Sequence, residues 1–128
     1  MESANNGITR SNGNSAEDAV TDATTATFMS DVVEASTTVP VIVDFWAPWC
    51  GPCKAIAPVL EQVAGEREIL IAKVDTDTNP ANAAKLGVRG IPALFLYHNG
   101  EIVSKQSGAM PKPQLLKWID DHMTADDF

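Results

Sequence analysis

Residues 39–46, Val-Pro-Val-Ile-Val-Asp-Phe-Trp, form the segment that most restricts how this chain can fold. A strand with one wet face alternates apolar and polar side chains. A near-continuous apolar, β-branched run is instead expected of a central strand covered on both faces, and that cover comes from helices flanking a partly parallel sheet. The rest of the chain supplies both. Residues 50–64 place Ile56, Val59, Leu60 and Val63 on one side of a helix, and residues 69–74 read as a second buried strand. Asn79-Pro80 reads as an N-cap followed by Pro at the first helical position, opening a helix that stops at Gly87. Residues 93–97 and 101–106 flank His98-Asn99-Gly100, whose Asn-Gly pair signals a tight hairpin. A last helix begins near residues 111–113 and carries Leu115, Leu116, Trp118 and Ile119. Upstream, residues 20–23 suit a weak edge strand, and Thr27 suits an N-cap before Phe28, Val32 and Val33 on one face of a short helix. The order β-α-β-α-β-α-β-β-α predicts an α/β fold, a three-layer sandwich whose parallel sheet carries an antiparallel edge.

Bulk properties bound the function. With 128 residues, 45% of them hydrophobic, the chain can bury a core without covalent staples, as a soluble globular domain does. Residues 1–19 are rich in Asn, Ser and Gly and are expected to be a disordered extension, with the domain spanning 20–128. No apolar run approaches the roughly 20 residues that span a bilayer, and the start lacks the basic and apolar stretches of a secretory signal. The expectation is a cytoplasmic protein, with an organelle, after removal of the extension, as the alternative. A net charge of -8 disfavours nucleic acid and anionic membrane surfaces as partners.

Only two cysteines occur, Cys50 and Cys53, directly after the buried strand and at the start of a helix. This spacing brings both sulfurs to one side of the first helical turn. Pro52 suits that turn because it has no N–H to leave unsatisfied, and Gly51 is expected to ease the strand-to-helix turn. The positive end of the helix favours a thiolate. Cys50 is expected to be the exposed, attacking sulfur and Cys53 the shielded, resolving one. Spacing alone also admits a zinc half-site or a structural staple. Zinc needs about four ligands, and only His98 and His122 remain, far away and unpaired, so no metal is expected. A staple this short restrains the unfolded chain very little.

The segment Val43-Asp44-Phe45-Trp46-Ala47-Pro48-Trp49-Cys50-Gly51-Pro52-Cys53-Lys54 resembles the active-site segment of the thioredoxin family. The resemblance continues through Ala57-Pro58, Ala72-Lys73-Val74-Asp75, Asn79-Pro80, Gly87 to Pro92, Asn99-Gly100 and Gly108-Ala109, covering roughly residues 20–123. It implies the thioredoxin fold, an α/β/α sandwich with a mixed sheet of four to five strands and four helices. It also implies a protein-disulfide reductase working through a reversible Cys50–Cys53 disulfide, with no bound cofactor. Thioredoxin reductase and disulfide-containing proteins are the implied partners, and the domain is expected to act as a monomer in electron transport and cell redox homeostasis. Oxidising and isomerising relatives carry a His beside the second Cys. Gly51-Pro52 offers no imidazolium to stabilise the reduced form, which points to reduction. A redox-silent docking module is the rival from another class, and the intact cysteine pair argues against it.

Further residues gather around the pair. Asp44 lies in the middle of the apolar strand, six residues before Cys50. Acids are seldom buried without a partner, and the resemblance makes this one the proton carrier for Cys53, with Lys73 as its partner. The resemblance also makes the bond before Pro92 cis and packs it against the cysteines, leaving the Ile91 backbone to pair with an extended substrate segment. Trp49 is expected on the docking surface, with Gly90 and Gly108 keeping the approach clear. Trp46, Trp118 and Pro58 are expected to be structural.

Overall fold

The computed structural model describes residues 19–124 and residue 127. Residues 1–18 of the expected extension lie outside the described residues. The strands are β1 (Val20–Asp22), β2 (Val41–Trp46), β3 (Leu70–Asp75), β4 (Ala93–His98) and β5 (Glu101–Ser107). The helices are α1 (Gly51–Glu66), α2 (Pro80–Lys85) and α3 (Lys112–His122), preceded by a short segment that is a π-helix over Met29–Glu34 and a 3-10 helix over Ala35–Thr37. The sheet order is β1-β3-β2-β4-β5. The first three strands run parallel, while β4 is antiparallel to both β2 and β5. This is the mixed five-stranded sheet of the thioredoxin fold.

The apolar run of residues 39–46 is explained by the position of β2 in the middle of this sheet. Its side chains alternate between two covered faces. Ile42 packs with Ile56, Leu60 and Val63 of α1 and with Leu115, Trp118 and Ile119 of α3. Val41, Val43 and Phe45 pack on the other face with Phe28, Val32 and Ala83. Each fully buried Leu, Ile or Phe contributes about 1.5–3 kcal/mol of burial, so neither face tolerates a polar side chain cheaply. Alternation puts Asp44 on the face of Ile42, beneath the α1 and α3 layer.

Of four local signals, two hold and two are redirected. The Asn-Gly hairpin has φ 54° at Asn99 and 82° at Gly100, the geometry of a type I′ turn. Thr27 does not cap a helix: its Oγ1 accepts from Thr24 N–H at 2.9 Å, and Phe28 takes the capping position without a side-chain bond. A hydroxyl with a local backbone partner is lost to the helix. Asn79 holds the N-cap position of α2, yet its Oδ1 accepts from Thr25 N–H at 3.0 Å and its Nδ2 donates to the Asp75 carbonyl at 3.2 Å. It therefore ties β1's exit to β3's exit rather than capping α2. Gly87, at φ 74°, follows the end of α2, as expected of a C-terminal glycine.

Buried Ser36 was not foreseen. Its Oγ donates to the Val33 carbonyl at 2.7 Å and accepts from Gly100 N–H at 2.8 Å, while its own carbonyl accepts from Asn99 N–H at 2.8 Å. One serine thus docks the hairpin onto the 3-10 turn.

Candidate active site

The topology brings separate stretches of chain to one end of the sheet. β2 exits at Trp46 into residues 47–50, antiparallel β4 starts there after Pro92, and β5 ends there because Ser107 is paired with Ala93. Gly108, at φ 82°, donates its N–H to the Pro92 carbonyl at 2.9 Å and so fixes the loop. The positive φ accounts for glycine at this position.

Cys50 is the N-cap of the 16-residue α1, with φ -89° and ψ 107°, and makes the strand-to-helix turn itself. Gly51, assigned that task from sequence, has ordinary φ, and a Cβ there would meet nothing within 4 Å. Pro52 lies in the first turn, as expected. Pro58 sits inside a helix that continues through it to Glu66. Cys50 and Cys53 are joined by a disulfide with their Cα atoms 5.3 Å apart. Cys53 N–H donates to Cys50 Sγ at 3.2 Å. A free helix-terminal N–H on a sulfur is what holds negative charge there once the bond is reduced.

The expected contrast in exposure is small. Cys50 is 4% exposed and Cys53 2%, because Ala47 packs with the two sulfurs and Trp46 and Ile91 close over them. The Ile91–Pro92 bond is cis, and Pro92 is buried. Among the described residues, no hydrogen bond engages the N–H or C=O of Ile91. At exposed Gly90 a Cβ would again meet nothing within 4 Å, so the surface beside Ile91 is open.

Asp44 is fully buried, and neither carboxylate oxygen has a hydrogen-bond partner among the described residues. Burial pushes its pKa up from 3.8 to about 6, while the Lys73 ammonium pulls it down. Asp44 is in register with Lys73 on β3 and Leu94 on β4. Lys73 nonetheless makes no ion pair with it: its Nζ stands over the Trp46 ring, 4.5 Å from the centroid. Trp46 is half-buried, and Thr76 donates its N–H to the Trp46 carbonyl at 2.9 Å. Trp49 is 69% exposed and donates its indole N–H to Asp77 at 3.1 Å. Asp77 is a site neighbour that the sequence did not reveal, since 28 residues separate it from Trp49. Trp118 is buried and donates to Ser104 Oγ at 2.8 Å. No cluster of three or more His, Cys, Asp or Glu among the described residues could hold a metal ion.

The model of the family described as Thioredoxin matches residues 19–121. The chain belongs to the thioredoxin family. Thioredoxin of Haemophilus influenzae is 49% identical over 100 residues, covering 77% of this chain and 92% of that protein. Thioredoxin 1 of Synechococcus elongatus is 45% identical over 107 residues, covering 82% and 95%. Thioredoxin of Mycobacterium bovis is 48% identical over 100 residues, covering 77% and 84%. In a thioredoxin, a cysteine pair bonded across one helical turn is a redox-active disulfide. The chain is accordingly a thiol–disulfide oxidoreductase with protein-disulfide reductase activity. Thioredoxin membership implies a thioredoxin reductase and disulfide-bearing proteins as its partners. No helix among the described residues is long and apolar enough to cross a membrane.

Proposed function

We propose that the reduced Cys50 thiolate attacks one sulfur of a protein disulfide, forming a mixed disulfide and expelling the second substrate sulfur as a thiolate. Cys53 then attacks Cys50 Sγ. This closes the Cys50–Cys53 disulfide and releases the first substrate sulfur, so two electrons pass to the substrate. Asp44 takes the Cys53 proton as that sulfur becomes the nucleophile. With its pKa near 6, Asp44 is mostly ionised at neutral pH yet basic enough to accept a proton. Lys73 positions and tunes Asp44 through its charge. The observation that carries this reading is the Cys53 N–H on Cys50 Sγ at the start of α1, which supports Cys50 as the sulfur that bears charge.

The substrate segment pairs with the Ile91 backbone as an added strand, between Gly90 and Gly108, with Trp49 providing apolar contact. Pro52 and Pro92 shape the floor. The chain works as a cytoplasmic monomer without a bound cofactor, in electron transport and redox homeostasis. It is re-reduced by a thioredoxin reductase with electrons from NADPH or ferredoxin. Residues 20–128 act as the domain and 1–19 as an extension. Insulin-disulfide reduction with a reductase and NADPH tests the scheme: turnover is expected, and Cys50→Ser should abolish it. Retained turnover in that variant would sink the assignment.

A further inference from the structure

Most cations of the described residues are committed to partners. Arg67, Lys112 and Lys117 sit on the carboxylates of Asp120, Glu66 and Asp121. Lys73 and Lys105 stand over the rings of Trp46 and Phe95. Arg89 is exposed, and no carboxylate or ring among the described residues engages it. Lys54 and Lys85 share this freedom, but only Arg89 lies on the loop that carries Ile91.

Arg89 precedes Ile91 by two residues, so their Cα atoms are at most about 7.6 Å apart. Only Gly90 lies between them, and the space a side chain would take there is empty. Nothing at position 90 screens the guanidinium from a chain lying along Ile91. Asp77, beside the exposed Trp49, is held by that indole and makes no ion pair with Arg89. The chain carries a net charge of -8, which would repel an acidic substrate at long range. At 0.15 M salt, however, that repulsion is screened beyond about 8 Å, and the local guanidinium decides.

We propose that Arg89 is a specificity-determining residue that favours substrate disulfides flanked by an acidic side chain. The proposal rests on the reading of Ile91 as the docking edge. A guanidinium meets a carboxylate through two parallel N–H···O bonds, which a lysine ammonium does not reproduce. The pair is solvent-exposed, so the preference is modest, about two- to five-fold in kcat/KM.

The test uses the full-length reduced protein and two disulfide peptides that differ only by Glu or Gln beside the cysteine. Exchange is followed by stopped-flow tryptophan fluorescence at 0.15 M salt, and the readout is the Glu/Gln ratio of kcat/KM. A ratio of about two to five is expected for the wild type, about one for Arg89→Gln and below one for Arg89→Glu. The wild-type ratio should shrink toward one in 1 M salt. A wild-type ratio of one, or a preference that survives in Arg89→Gln, would overturn the proposal while leaving the reductase intact. Failure of the wild type to reduce either peptide would overturn both this proposal and the docking reading beneath it.

Discussion

Lys73 is paired in register with Asp44 across two parallel strands, yet its ammonium stands over the Trp46 ring instead of on the carboxylate. Asp44 is left buried with both oxygens unpartnered among the described residues. The nearby positive charge lowers its pKa, but burial outweighs it and the value rises to about 6. A strand register thus produces a charged group that costs the fold stability and is available for chemistry.

The cost has a definite sign. An acid with a pKa of 3.8 unfolded and about 6 folded binds more protons in the native state across that interval, so stability falls as pH rises from about 4 to about 6. Asp44→Asn removes the ionisation while keeping the shape. It should stabilise the protein at pH 7 by up to about 3 kcal/mol, with little gain at pH 3.5. Urea unfolding at the two pH values measures this. The same variant should reduce insulin tenfold or more slowly at pH 7 and lose the wild-type inflection near pH 6. An unchanged pH profile would remove Asp44 from the proton path.

The order of attack is separable by trapping. Cys53→Ser keeps the attacking sulfur and removes the resolving one, so it should accumulate a mixed disulfide with substrate through Cys50. Intact-mass analysis under non-reducing conditions would show the adduct. Cys50→Ser should show none.

Trp49 and Asp77 test the docking surface. Because the indole is largely exposed, its loss should leave the fold nearly untouched. Trp49→Ala is expected to raise KM for a protein substrate several-fold, and Asp77→Ala, which frees the indole, by a smaller factor. Both should leave the thermal midpoint within a few degrees of wild type. Steady-state kinetics and a melting curve settle the comparison.

Ser36→Ala leaves the part-buried Gly100 N–H without this acceptor, which costs about 1 kcal/mol. Redox turnover at 25 °C should be unaffected, because this contact lies at the opposite end of β4 from Pro92. A denaturation midpoint equal to wild type would contradict the assigned role.

What the sequence disclosed follows from how local each signal is. The β2 run was legible because a strand covered on both faces cannot alternate in polarity. The cysteine pair was legible because its spacing is one helical turn. Thr27 misled because its side chain accepts from Thr24 instead of capping a helix. Asn79 holds the expected N-cap position before Pro80 but spends its side chain on Thr25 and Asp75, a choice set by loop geometry. Lys73 over Trp46 and Trp49 on Asp77 depend on register and packing between separate strands and loops, and no short-range pattern encodes them. The near-equal burial of the two sulfurs likewise depends on Ile91 arriving from β4's side.

The central claim is that Cys50–Cys53 passes electrons to substrates, a direction attributed to Gly51-Pro52 and the absence of a histidine between the cysteines. The reduction potential of the pair, measured by equilibration against glutathione, tests it most directly. The claim predicts a value close to the one known for the family, about -270 mV, so that the dithiol reduces most protein disulfides it meets. A value near the about -120 mV of strongly oxidising enzymes would contradict it and reverse the direction of electron flow.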